Sequence, residues 1–305
     1  MPVSSTAAIS VTGLTKKYGN RVVVDHLIFD VPKGSVCGFV GPNGAGKTTT
    51  IRMLLGLIST TAGSGEVLGK PLTHPEKYLS RVGALIEGPA FYPYLSGREN
   101  LRLLATLGGF SHDPIDDLLQ KVDLLDRAGS KFKTYSLGMK QRLGIAAALL
   151  VQPELLILDE PTNGLDPAGI HEIRTLLRSL ADSGITVFVS SHLLIELEQI
   201  SDYLIILNEG KLLFAGETNH LLEAQRASIV AQTDREEDLE TLAALVVGLG
   251  YAASIENGVL HIFAPPEWAA ELNRVAFKAG IVLSGLSTSR PSLEDTFLKM
   301  IGGAQ

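Results

Sequence analysis

Eight consecutive residues, Gly41-Pro42-Asn43-Gly44-Ala45-Gly46-Lys47-Thr48, fit the pattern G-x-x-x-x-G-K-[ST]. They follow the apolar run Val36-Cys37-Gly38-Phe39-Val40. They precede a helical pattern in which Ile51, Met53, Leu54, Leu55 and Ile58 share one side. Strand, glycine loop and helix together make the setting of a phosphate loop. The glycines let successive backbone N–H groups turn inward, and the helix N-terminus adds a partial positive charge of about half a unit. Lys47 is then placed to reach the outer phosphates and Thr48 to ligate Mg²⁺, with Thr49 joining the nucleotide contacts. The chemistry expected of this segment is binding of ATP with Mg²⁺, followed by hydrolysis.

A second cluster supports it. Leu155-Leu156-Ile157-Leu158 is an apolar run that ends in two carboxylates, Asp159 and Glu160. A buried strand carries such carboxylates out at its C-terminal end, where open α/β sheets bind ligands. Beside a phosphate loop, Asp159 is expected to hold the Mg²⁺ shell and Glu160 to orient and polarise the attacking water.

These residues need a scaffold, and the hydrophobic pattern supplies one. Residues 9–40 read as strands, and Gly63-Ser64-Gly65 reads as a break after the first helix. Helices are predicted over 97–107, 114–125 (opening on Asp113 as N-cap with Pro114 in the first turn), 138–150, 167–179 and 193–200, with strands over 155–158 and 185–189. Strands alternating with helices predict an α/β domain with a largely parallel sheet. After about residue 220 the order becomes strand 227–232, helix 236–248, strand 251–256, strand 258–263, helix 266–279, strand 281–287 and helix 291–300. Glu256-Asn257-Gly258 reads as a hairpin turn. That order predicts a small α+β unit of split βαβ type.

Composition narrows the class. The 305 residues are 45% hydrophobic and 19% charged, which fits folded domains and excludes disorder. The net charge of −7 disfavours nucleic acid as a partner. The single cysteine, Cys37, lies in an apolar run and reads as a small buried hydrophobe. The opening Met1-Pro2-Val3-Ser4-Ser5-Thr6 has no basic region followed by an apolar stretch, so no secretory leader is expected. The best apolar run, 143–151, is far short of the roughly 20 residues a membrane span needs, so any membrane role is expected to come through a partner.

In motif order and spacing the chain resembles the nucleotide-binding subunits of ABC transporters over roughly residues 7–220. The resemblance implies a P-loop NTPase fold of ABC type over 1–220, with a helical subdomain at about 90–150, and a small accessory α+β domain over 221–305. It also implies roles. Tyr18 matches the aromatic on which adenine stacks. Tyr135-Ser136-Leu137-Gly138-Met139 occupies the place of the family signature Leu-Ser-Gly-Gly-Gln, whose serine and backbone contact ATP held by the opposite subunit. Ser136 and Gly138 remain, whereas Leu137 and Met139 replace the first glycine and the glutamine. Asn163-Gly164-Leu165-Asp166 matches the loop that crosses the dimer interface, and His192 matches the switch histidine that senses the γ-phosphate. Glu87 stands where the family has a glutamine that contacts Mg²⁺, which makes the metal side of the site more acidic.

Residues 86–92 (Ile-Glu-Gly-Pro-Ala-Phe-Tyr), 135–139 and 292–298 (Ser-Leu-Glu-Asp-Thr-Phe-Leu) resemble the branch of bacitracin-resistance and related antibiotic or lantibiotic exporters. Leu293, Phe297 and Met300 fall at helical spacing, a docking face for the small domain itself. The resemblance implies an ATPase motor that works as an ATP-sandwich homodimer on a separate membrane permease, held peripherally at the cytoplasmic face of the membrane. Two other readings share the catalytic residues: a non-transport ATPase of the same superfamily, and the motor of an importer.

Overall fold

The computed structural model describes residues 7–88, 90–223, 228–256 and 258–289. These residues fall into two compact units that divide between Thr218 and Asn219.

The first unit contains two sheets. Strands β1 (Ala7–Tyr18) and β2 (Arg21–Pro32) form an antiparallel hairpin closed at the pair Tyr18 and Arg21. On β2, Leu27, Phe29 and Val31 are buried while Ile28, Asp30 and Pro32 face out, the period of two that a half-buried strand requires. β4 (Ala62–Val67) pairs with the other edge of β1, and β5 (Lys70–Pro71) extends the order to β2-β1-β4-β5. Gly63-Ser64-Gly65, read above as a break, therefore lies inside a strand. Both glycines allow close backbone approach: a Cβ at 63 would fall 2.1 Å from the Gly13 carbonyl oxygen, and one at 65 would fall 2.8 Å from that of Ser10.

The second sheet carries the site. Its strands are β3 (Val36–Val40), β6 (Val82–Leu85), β7 (Leu155–Asp159), β8 (Thr186–Ser191), β9 (Tyr203–Asn208) and β10 (Lys211–Glu217), in the order β10-β9-β3-β8-β7-β6. All neighbours are parallel except β10 with β9. Every residue of β3, β7 and β8 is buried, which is why these strands read as continuous apolar runs. Phe39 on β3 sits with its ring 6.0 Å from that of Phe29 and 5.0 Å from that of Phe188, joining the two sheets in one core. The register aligns the strand ends: Val40 lies opposite Ser191, and Asp159 opposite Ser190. Whatever follows β3, β7 and β8 must emerge at one edge.

Helix α1 (Lys47–Leu54) follows β3 directly. Between β6 and β7 lie α2 (Gly97–Gly108), α3 (Ile115–Lys121) and α4 (Leu137–Leu149). α2 opens with a capping box: Ser96 Oγ accepts from the Glu99 amide, and the Ser96 amide donates to Glu99 Oε2. α3 is shorter than its pattern implied and is not capped by Asp113. The Asp113 carboxylate accepts instead from Ser111 Oγ, and Pro114 takes the cap position with no side-chain bond. α5 (Pro167–Asp182) and α6 (Leu194–Glu198) follow β7 and β8.

Helix α7 (Thr218–Glu223) lies at the division. The second unit then runs β11 (Ser228–Thr233), α8 (Glu237–Gly248), β12 (Ala252–Glu256), β13 (Val259–Phe263), α9 (Ala269–Lys278) and β14 (Leu283–Ser289). Its antiparallel sheet has the order β12-β13-β11-β14. Ile229, Leu242, Val246, Leu260, Ile262 and Leu272 form a separate core. Asn257 of the expected turn, the helix expected over 291–300, the segment 292–298 and Met300 lie outside the described residues.

Candidate functional site

The loop after β3 wraps tightly because its glycines leave room for backbone. A Cβ at Gly41 would lie 2.5 Å from the Leu207 carbonyl oxygen, and one at Gly46, whose φ is +99°, would lie 2.8 Å from that of Val23. Gly46 caps α1, so the free amides of the first helical turn point toward the space above the loop. Lys47 is only 5% exposed. Its ammonium donates to the carbonyl oxygens of Gly41 at 2.6 Å and Pro42 at 3.3 Å, and pairs with Glu160 Oε1 at 3.1 Å.

The carboxylates arrive from β7. Asp159 Oδ2 accepts from Thr48 Oγ1 at 2.8 Å, and Oδ1 accepts from Ser190 Oγ at 2.6 Å. The Glu160 amide donates to the same Ser190 hydroxyl at 3.0 Å. Glu160 has φ +49°, in the left-handed region that carries a cost for a residue with a side chain. That bend turns the chain off the sheet and lays its carboxylate between two cations or donors. Oε1 faces Lys47, while Oε2 lies 2.6 Å from His192 Nδ1 and accepts from the His192 amide at 3.3 Å. His192 follows β8 immediately, so the register of three strands accounts for the whole grouping.

Above these residues is a cavity of about 490 Å³. Tyr18, Asn43, Gly44, Gly46, Lys47, Thr48, Thr49, Glu160 and His192 line it, with Asp159 one hydrogen bond behind Thr48. Gly41, Pro42 and Ala45 shape the loop without lining the cavity. The Tyr18 ring is half exposed, with Lys16 Nζ 5.1 Å from its centroid. Arg21, Val23 and Asn163 also line the cavity. Arg21 is a cation the sequence pattern does not single out; its one signal is its place opposite Tyr18 in the hairpin.

Four candidate residues lie elsewhere. Ser136 caps α4, its Oγ accepting from the Met139 amide at 3.2 Å. Asp166 caps α5, its Oδ1 accepting from the Gly169 amide at 3.1 Å. Gly138 has open space around it: a Cβ there would meet nothing closer than Leu165 Cδ2, at 3.8 Å. Glu87 has φ +61°, is largely exposed, and engages the Arg52 guanidinium rather than the cavity.

The oxygen donors Thr48 and Asp159 suit Mg²⁺, which takes one or two protein oxygens and fills its remaining sites with water and substrate phosphate. Among the described residues no group of three or more His, Cys, Asp or Glu side chains forms a metal-binding cluster of its own. The arrangement thus fits a cation brought in with a nucleotide.

Residues 24–163 match the family model described as ABC transporter. The chain is 44% identical to a bacitracin transport ATP-binding protein of Bacillus licheniformis, over 97% of both chains. It is 42% identical to a lantibiotic transport ATP-binding protein of Streptococcus pyogenes, over 68% of this chain and 90% of that one. Among solved structures, an ATP binding subunit of an ABC transporter superposes with a TM-score of 0.63 at 32% identity, covering 71% of this chain and 92% of that one. A nucleotide-free ATP-binding cassette from an ABC transporter superposes with a TM-score of 0.65 at 22% identity, covering 72% and 96%, and shows the shared fold.

Proposed function

The chain belongs to the ABC transporter ATP-binding proteins, and on that footing we propose that it is the ATP-hydrolysing motor of an exporter for bacitracin-like or lantibiotic-like peptides. The observation that carries this reading is the convergence of Lys47, Asp159, Glu160 and His192 at one sheet edge, in a chain that shares 44% identity with a bacitracin transport ATP-binding protein.

In this reading the α1 amides and Lys47 bind the β- and γ-phosphates. Phosphate oxygens replace the Gly41 carbonyl and the Glu160 carboxylate around the ammonium. Adenine stacks on Tyr18. Mg²⁺, held by Thr48 and Asp159, offsets phosphate charge when bound. Released from Lys47, Glu160 accepts a proton from the attacking water, and His192 fixes the orientation of its carboxylate. Glu87 must first leave Arg52 if it is to approach the metal. That pair is exposed and weakly held, so it acts as a gate that opens easily.

One chain supplies half of each site. Ser136 and Asp166 are spent on helix caps away from their own cavity, and the open space at Gly138 suits close approach by a nucleotide on a second copy. No helix among the described residues is long and apolar enough to cross a membrane. We place the chain at the cytoplasmic face, docked on a separate permease. The docking site proposed is the apolar groove of about 560 Å³ lined by Leu79, Leu85, Phe91, Leu104 and Phe110, between β6 and the helices that follow it.

Pull-down of the full chain from membranes should recover a multi-span permease without a solute-binding protein. Deleting the gene should sensitise cells to peptide antibiotics of the cell envelope, with rescue by the wild-type chain but not by Glu160→Gln. Recovery of a binding-protein-dependent permease, or unchanged sensitivity across such antibiotics, would overturn the exporter reading.

A further inference from the structure

Glu196 is a carboxylate buried to 6% exposure on α6, and none of the roles above uses it. A buried carboxylate is unfavourable unless donors satisfy it. Among the described residues, two side-chain donors reach it, and both come from the straps that carry the reacting groups. Glu196 Oε2 accepts from Thr162 Oγ1 at 2.6 Å and from Ser191 Oγ at 3.3 Å.

Thr162 stands two residues after Glu160 and begins the turn toward Asp166. Its carbonyl accepts from the Leu165 amide at 3.1 Å, while the Glu160 carbonyl accepts from the Asn163 amide at 3.1 Å. Ser191 precedes His192, and its hydroxyl accepts from the Leu193 amide at 3.0 Å, folding the chain tightly around the histidine. A single carboxylate oxygen therefore ties the strap that follows Glu160 to the strap that presents His192. Nearer the sheet the two are also joined by Ser190, which donates to Asp159 and accepts from the Glu160 amide, and by the Glu160 side chain's contacts with His192; nucleotide binding must rearrange the side-chain contacts of Glu160.

We propose that Glu196 is a positioning residue for hydrolysis. It fixes Glu160 and His192 in mutual register, so that displacement of the 163–166 turn reaches the histidine through Thr162. This rests on the roles assigned above to Glu160 and His192.

The test uses the full chain in its permease complex, with ATP turnover measured at saturating and limiting ATP. Thr162→Val removes the hydroxyl at nearly constant volume, Thr162→Ser keeps it, and Glu196→Ala removes the acceptor. Thr162→Val and Glu196→Ala should each lower kcat about tenfold with KM for ATP within about twofold, since misplacement of reacting groups slows chemistry without uniform loss of binding. Thr162→Ser should restore kcat to within about twofold of wild type. The double variant should be no slower than Glu196→Ala alone, because both remove one link. If Glu196→Ala does not fold, the Thr162→Val and Thr162→Ser pair decides the matter. Wild-type kcat in Thr162→Val, a rise in KM with kcat intact, or a multiplicative loss in the double variant would overturn the proposal. Glu160→Gln, run beside them, separates the two ideas. If it turns over normally, the reading of Glu160 fails; if it is inactive while Thr162→Val is normal, only the clamp fails.

Discussion

Replacing Glu160 by glutamine should separate ATP binding from ATP turnover, and the structure sets the size and sign of both effects. Without its carboxylate, the attacking water has no base. Loss of a positioned general base lowers rates by about 10²–10⁴-fold, or roughly 3–5 kcal/mol of transition-state stabilisation. Binding should move the other way. Lys47 and Glu160 are paired at 3.1 Å, and their side chains are 5% and 20% exposed. A nucleotide must break that pair before Lys47 can hold phosphate. Hydrogen bonds between charged groups contribute about 1.5–3 kcal/mol. Glutamine keeps an acceptor oxygen but removes the charge, so only part of that amount is recovered. The affinity for ATP should stay level or tighten by up to about tenfold, about 1.4 kcal/mol. Equilibrium binding of ATP and phosphate release in the permease complex measure the two quantities. Turnover within threefold of wild type, or ATP binding weakened more than tenfold, would refute the assignment of Glu160 as base and Lys47's counter-ion.

Three further outcomes follow from the same coordinates. Asp159→Asn should raise the Mg²⁺ concentration needed for ATP binding by about tenfold or more while leaving the melting temperature near wild type, because one of the Thr48 and Ser190 hydroxyls can still donate to the amide oxygen while the other turns to accept from the amide nitrogen; titration of ATP binding against Mg²⁺ checks it. Phe39→Ala should destabilise the first unit by about 3–5 kcal/mol, since the ring is fully buried between Phe29 and Phe188 and the cavity cannot collapse, as denaturant unfolding would report. Burial pushes the Cys37 thiol well above its ordinary range. The folded chain then holds that proton more tightly than the unfolded one, so this contribution to stability is present below about pH 8.5 and is lost as pH rises beyond it. Cys37→Ala should therefore show a flatter stability curve between pH 8 and 10, and Cys37 should resist thiol reagents until denaturant is added.

What could be read from the chain alone was whatever rests on local covalent demands. The loop 41–48 announces itself because glycine is needed where backbone crowds backbone, and the apolar runs of β3 and β7 announce burial on both faces. Long-range pairing hid the rest. Gly63-Ser64-Gly65 has the composition of a turn, and only the approach of β1 makes it a strand. β9 and β10 have no counterpart in the sequence pattern set out above, although Tyr203–Asn208 is strongly apolar, because no residue of either strand belongs to a chemical motif. Ser190 carries no signal in the sequence beyond standing two residues before His192; its bond to Asp159 depends on the register between β7 and β8. Asp113-Pro114 looked like a helix start, but Ser111 two residues earlier offers a competing local partner for the Asp113 side chain. Glu87 could be aligned with the family's glutamine, yet no spacing rule places Arg52 beside it.

The departure at Leu137 illustrates how such a substitution is absorbed. A leucine in place of the first signature glycine adds a large side chain to the first turn of α4, at the very face proposed to meet the partner's nucleotide. In the structure its Cδ2 lies over the 163–166 turn of the same chain, 3.2 Å from where a Cβ at Gly164 would be. Gly164 has φ +77°, a backbone conformation that favours glycine, and a Cβ there would press on the leucine. The neighbouring Gly138 meets only Leu165, at van der Waals distance, and its outer side is free. One branch of the Leu137 side chain thus rests on the chain's own turn, while the residue as a whole stays 45% exposed. The first turn of α4 and the 163–166 turn are thereby packed together in one chain, so a residue larger than glycine at 164 should disturb both.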